Sequence, residues 1–158
     1  MKRHVAAVLL GTMVIGSLLC RPVLAAAYSD ARVATSAKIS EALVMNGKKS
    51  SPVRRSVQTA SGRISYTEQG TGPVALFVHG VLLNGYLWRY QLEDLSDFRR
   101  CIAVDLLAHG DTEIASGQDV SVTANARMLK EFLDALHIDQ VDLVGNDSGG
   151  GIAQIFDG

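Results

Sequence analysis

From residue 53 onward the hydrophobic rhythm of the chain changes several times, and each change marks an element. Val53 to Thr59 and Arg63 to Glu68 alternate apolar and polar positions around Ala60-Ser61-Gly62, as an antiparallel hairpin does. Gln69-Gly-Thr-Gly-Pro73 is turn chemistry. Val74-Ala-Leu-Phe-Val78 is an unbroken apolar run, the pattern of a strand covered on both faces. Cys101 to Asp105 and Val141 to Gly145 repeat it. Between those two runs the period lengthens. Met128, Leu129, Phe132, Leu133 and Leu136 fall on one stripe of a helix that begins at Ser121 or Thr123. Asn84 is placed to cap a helix from Gly85 to about Leu95, and a last helix runs from Ser148 to about Phe156. Alternating strands and helices predict an α/β domain with a mostly parallel sheet of about five strands, flanking helices and an antiparallel start.

The first 52 residues carry a different pattern. Lys2 and Arg3 precede an uncharged stretch from Val5 to Leu19, and Val23-Leu24-Ala25 offers small or aliphatic residues at a cleavage site. Residues 1–25 therefore read as a secretory signal, and the expected location is secreted or periplasmic. The alternative is an anchor left uncleaved, although the apolar stretch falls short of the roughly 18–20 residues a spanning helix needs. No stable membrane span is expected after cleavage. Residues 26–52 have weak periodicity and close on Ser50-Ser51-Pro52, as a linker or poorly ordered arm would. The folded domain is then 53–158.

Composition narrows the function. Of 158 residues, 47% are hydrophobic and 20% charged, enough for one modest domain. Removing Lys2, Arg3 and Arg21 with the signal leaves 12 basic against 16 acidic residues, net −4, which gives no footing for nucleic acid. Cys101 then has no partner in the mature chain and is expected as a buried, inert thiol. No metal-ligand spacing and no cofactor motif is present, so the expected partner is a small-molecule substrate. Nothing in the sequence fixes an oligomeric state.

The chemistry concentrates in Val141-Asp-Leu-Val-Gly-Asn-Asp-Ser-Gly-Gly-Gly151, an apolar strand running into a small-residue turn before a helix. Such a turn presents a nucleophile when small residues stand two before and two after it, because strand and helix nearly touch there. With Asp147 at the tip, those positions are Gly145 and Gly149; with Ser148, they are the larger Asn146 and Gly150. Asp147 is the preferred nucleophile and Ser148 the alternative; an Asp capping the following helix would look the same in sequence. His79-Gly80 follows the Val74–Val78 run directly, so the backbone N–H groups of Val81 and Ser148 are candidates for an oxyanion hole. His79 is expected to hold that loop by a hydrogen bond rather than to move protons. His109 and His137 read as loop and surface residues, and Trp88 and Tyr90 as packing residues of a helix.

These motifs together resemble the α/β-hydrolase fold: His79-Gly80, Tyr86-Leu-Trp-Arg89, Asp105-Leu-Leu-Ala-His-Gly-Asp-Thr112 and Val144-Gly-Asn-Asp-Ser-Gly-Gly150, in that order. Aspartate at the turn resembles the branch holding haloalkane dehalogenases and epoxide hydrolases rather than the serine esterases. The resemblance implies an Asp147 ester intermediate hydrolysed by a histidine-activated water. It also implies burial of Ile152, Ala153, Ile155 and Phe156 on the last helix. Dehalogenases of this type commonly place Asn after His-Gly and Trp after the nucleophile, where this chain has Val81 and Ser148. The triad histidine of the family follows the nucleophile, and no histidine follows Asp147 here. The expectation is a fragment of an incomplete fold, inactive alone, with Val141–Gly145 as an unpaired sheet edge. A serine esterase or lactonase using Ser148, or a non-catalytic binding remnant, are the competing readings.

Overall fold

A computed structural model describes residues 8–10 and 50–157. The strands are β1 (Val8–Leu10), β2 (Val53–Thr59), β3 (Gly62–Gln69), β4 (Val74–Val78), β5 (Arg100–Val104) and β6 (Asp142–Asn146). The helices are α1 (Arg89–Leu95), α2 (Val122–Ala135) and α3 (Ser148–Asp157), with a short 3-10 turn at Gly85–Trp88. One sheet runs in the order β1-β6-β4-β5-β3-β2. The hairpin β2–β3 and the β3–β5 pair are antiparallel, and β5, β4, β6 and β1 run parallel.

The apolar runs are continuous because both faces of the sheet are covered. Along β4, Ala75 and Phe77 point to one face and Leu76 and Val78 to the other; along β5, Cys101 and Ala103 oppose Ile102 and Val104. On the first face Trp88 and Leu92 pack, with the Phe77 and Trp88 rings 5.2 Å apart. On the second lies the larger core, where Met128, Leu129, Phe132 and Leu133 of α2 meet Ile152 and Phe156 of α3. Tyr66 and Phe132 meet edge to face there, at 5.1 Å. Burying Phe132 alone is worth about 2–3 kcal/mol on transfer grounds. Cys101 is a buried free thiol, and burial pushes its pKa up to about 11.

The expected elements form, with three corrections. The segment after Asn84 opens as a 3-10 turn before becoming α-helical, although Asn84 Oδ1 does accept the Tyr86 N–H. Ile155 and Tyr90 are exposed, 44% and 59%, rather than packed. α3 gives the side chains of Ile152, Ala153 and Phe156 to the core, while Tyr90 lies under the Arg89 guanidinium. The β6 edge is also not unpaired: β1 pairs parallel to it, Val8 to Val144, Leu9 to Gly145 and Leu10 to Asn146. That makes a sixth strand where about five were expected, drawn from the segment read as a signal. The remainder of 1–25, and 26–49 of the expected arm, lie outside the described residues. No described helix is long and apolar enough to cross a membrane.

Candidate active site

Open α/β sheets place sites where neighbouring strands send their connections to opposite faces, at the carboxyl ends of the strands. Here β4 leads to the Trp88 face, whereas β6 leads into α3 on the other. The crevice between β4 and β6 is where His79-Gly80-Val81 and Asp147 come together.

Asp147 is the single residue between β6 and α3, and its φ is +53°. The left-handed region costs a non-glycine residue about 1–3 kcal/mol and persists only where its surroundings enforce it. Three glycines enforce it. A Cβ on Gly145 would stand 2.5 Å from the Gly149 carbonyl oxygen. A Cβ on Gly149 would stand 2.4 Å from the Val78 oxygen, so the start of α3 presses against the end of β4. A Cβ on Gly80 would meet the Asp147 side chain at 2.7 Å. Backbone contact on this scale closes the turn and pushes the Asp147 side chain out to an exposed position at the crevice.

The Val81 N–H donates to Asp147 Oδ2 at 3.3 Å. Ser148 is the first residue of α3, so its N–H has no acceptor inside the helix. Ser148 has already entered the helix; the strained position is Asp147.

His79 is fully buried. Its Nε2 accepts the Leu106 N–H at 3.1 Å, which puts the ring proton on Nδ1, and Nδ1 donates to the Gly80 carbonyl at 2.7 Å. Burial holds its pKa below the usual histidine value, with proximity to His109 acting in the same direction. Both ring nitrogens are thus engaged in fixing the loop. The His109 ring lies 5.2 Å from that of His79, and His109 Nδ1 contacts the Leu107 carbonyl. His137 is exposed with φ +54° just past α2. Among the described residues no cluster of three or more potential metal ligands occurs.

Two participants were not singled out from sequence. Asp105, at the end of β5, is buried to 1% exposure and accepts the Gly85 N–H at 2.8 Å and the Asp111 N–H at 2.9 Å. Arg54 on β2 forms an ion pair with it and also reaches Asp111 at 2.9 Å. An aspartate directly after an apolar strand was a usable signal for the first. A lone arginine on an alternating strand reads as solvated surface, and its partner stands 51 positions away.

The family described as alpha/beta hydrolase fold matches residues 73–156. Haloalkane dehalogenase 2 of Mycobacterium bovis is 38% identical over 95 residues, 60% of this chain and 33% of that protein. Epoxide hydrolase 2 of Caenorhabditis elegans is 35% identical over 96 residues, 59% of this chain and 27% of that one. Among solved structures, an epoxide hydrolase from an endophytic Streptomyces superposes with a TM-score of 0.62 at 34% identity, covering 66% of this chain and 32% of that chain. The chain spans about a third of the length of the relatives it matches.

Proposed function

The chain belongs to the alpha/beta hydrolase fold family, and we propose that it carries the nucleophile of an exported hydrolase acting on epoxides through an ester on Asp147. The observation that carries this reading is the positive φ of Asp147 in a glycine-closed turn, with Oδ2 held by the Val81 N–H. With Oδ2 held, Oδ1 is the oxygen left to attack. It forms a bond to an epoxide carbon as the carbon–oxygen bond of the ring breaks, and the alkoxide takes a proton from water. Oδ2 becomes the ester carbonyl oxygen. When water later adds to that carbonyl, the negative charge develops on Oδ2, beside the Val81 and Ser148 N–H groups. The same attack on a haloalkane would release halide. Val81 and Ser148 offer no side-chain N–H at the positions where the dehalogenase pattern has Asn and Trp, so an epoxide, whose leaving oxygen stays on the substrate, fits better. The turn favours Asp147 over Ser148, because the carboxylate occupies the strained tip. Export rests on Lys2-Arg3, the uncharged stretch from Val5 to Leu19 and Ala25.

Intact-mass analysis tests the nucleophile. Incubation with a small terminal epoxide should add the mass of the whole epoxide, with peptide mapping to Asp147, and Asp147→Asn should take up none. A fluorophosphonate label on Ser148, with no epoxide adduct on Asp147, would sink the assignment.

A further inference from the structure

The loop that carries Val81 is pinned at its two ends to two adjacent residues, Leu106 and Asp105. At its start, His79 Nε2 accepts the Leu106 N–H. At its end, the Gly85 N–H donates to Asp105 Oδ1. Everything between, including Leu82 at φ +63°, spans those two pins. Val81, Leu82 and Leu83 are 57%, 90% and 43% exposed, so packing alone does not hold them. The position of the Val81 N–H therefore depends on where Asp105 and Leu106 stand.

Asp105 is itself held from four directions. Its Oδ2 accepts the Asp111 N–H and pairs with the Arg54 guanidinium. Its backbone N–H donates to the Ser65 carbonyl at 2.9 Å, and its carbonyl accepts the Thr112 hydroxyl at 2.8 Å. The surroundings are shaped around the carboxylate: a Cβ on Gly110, at φ +53°, would stand 1.9 Å from Asp105 Oδ2. A carboxyl group with 1% exposure has lost its contact with water, and these partners take the water's place. Arg54 is the one cation bonded to it among the described residues, and it comes from the antiparallel hairpin. A third arm of Arg54 donates to Thr67 Oγ1 at 3.3 Å, which fixes it across β2 and β3.

We propose that Arg54 and Asp105 are a positioning pair that sets the Val81 N–H against Asp147, so that the N-terminal hairpin helps to build the oxyanion hole at the far side of β5. Arg54 acts through Asp105, and Asp105 through the Gly85 N–H. This inference rests on the reading of Val81 and Asp147 given above, and the two are separable by experiment.

The probe is the pH titration of the Val81 amide signal in two-dimensional NMR of the 15N-labelled full chain. In the unaltered protein this amide should shift as the Asp147 carboxyl titrates, and Asp147→Asn should abolish the step. If the step survives in Asp147→Asn, the reading of the oxyanion hole fails. Arg54→Met should cut the amplitude of the step to about half or less, because the hydrogen bond weakens steeply with distance and angle. Arg54→Lys, which keeps the charge, should retain most of it. The double variant Arg54→Met with Asp105→Asn removes the pair without leaving a buried charge, and it should also lose the step. A lowered urea midpoint with the Val81 step at full amplitude in the double variant would overturn the positioning role, since a purely structural pair predicts that result.

Discussion

Two aspartates stand at the carboxyl ends of β5 and β6, the parallel strands on either side of β4, and lead opposite lives. Asp105 ends β5 in a closed setting, with two N–H donors, an arginine and 1% exposure. Asp147 ends β6 on the tip of a strained turn, exposed, with one N–H on Oδ2. One carboxylate accepts from three groups of the protein. The other is denied that closure by glycines that bring backbone against backbone and leave the side chain outside. The same residue type is a fixed anchor in one place and, in the function proposed above, the nucleophile in the other. What separates them is the number of donors within reach, which for Asp105 come from two loops and from Arg54 of β2.

The widest separation should come from changing Asp147. Asp147→Asn keeps a side chain that tolerates φ +53°, so thermal or urea stability should change by no more than about 0.5 kcal/mol. Adduct formation with an epoxide should fall by about a thousandfold or to background in mass spectrometry. Asp105→Ala should do the reverse in kind. It strands the buried Gly85 N–H, frees the Asp111 N–H and leaves Arg54 without its buried partner, and a urea titration should show a loss of about 3–4 kcal/mol. A mutant of Asp105 with wild-type stability would remove the contrast altogether. Gly149→Ala asks whether the turn is closed by backbone contact. The added methyl would meet the Val78 and His79 carbonyls at 2.4 and 2.6 Å and should cost about 2–3 kcal/mol.

The histidine between the two aspartates gives a pH signature. Burial lowers the pKa of His79 below the usual 6.5. The unfolded chain then binds this proton first as pH falls, so its contribution to stability is full above about 6.5 and declines below it. Urea midpoints at about pH 8 and about pH 5 should differ less in His79→Gln than in the unaltered chain. The smallest effect belongs outside both regions. Ser121 Oγ accepts the Ala124 N–H at the start of α2, and Ser121→Ala should cost about 1 kcal/mol without touching the Val81 amide.

The sequence carried most of the scaffold because period and composition report burial. Val74–Val78 was legible as a strand, and the stripe from Met128 to Leu133 as a helix face, since each residue there is buried by its own element's geometry. The turn at Asp147 was legible from glycine spacing, because only absent side chains allow that approach. Ile155, whose burial the family resemblance implied, is exposed here, and the mostly small or apolar residues of this ten-residue helix offered no polar face to correct it. The pairing of β1 with β6 was not foreseen, since an apolar segment near the N-terminus carries no sign of the edge it meets.

Local pattern therefore determined the elements, the order in which they occur, the glycine-closed turn and the choice of Asp147 over Ser148 at its tip. Only the tertiary structure decided that Arg54 reaches Asp105 and that His79 bonds Leu106. It also decided that the Val81 N–H faces Asp147 Oδ2 across 66 positions of chain. The physical reason is range. Hydrophobic period and steric room are written in neighbouring residues, whereas a hydrogen bond between distant loops depends on how the whole sheet brings strand ends together.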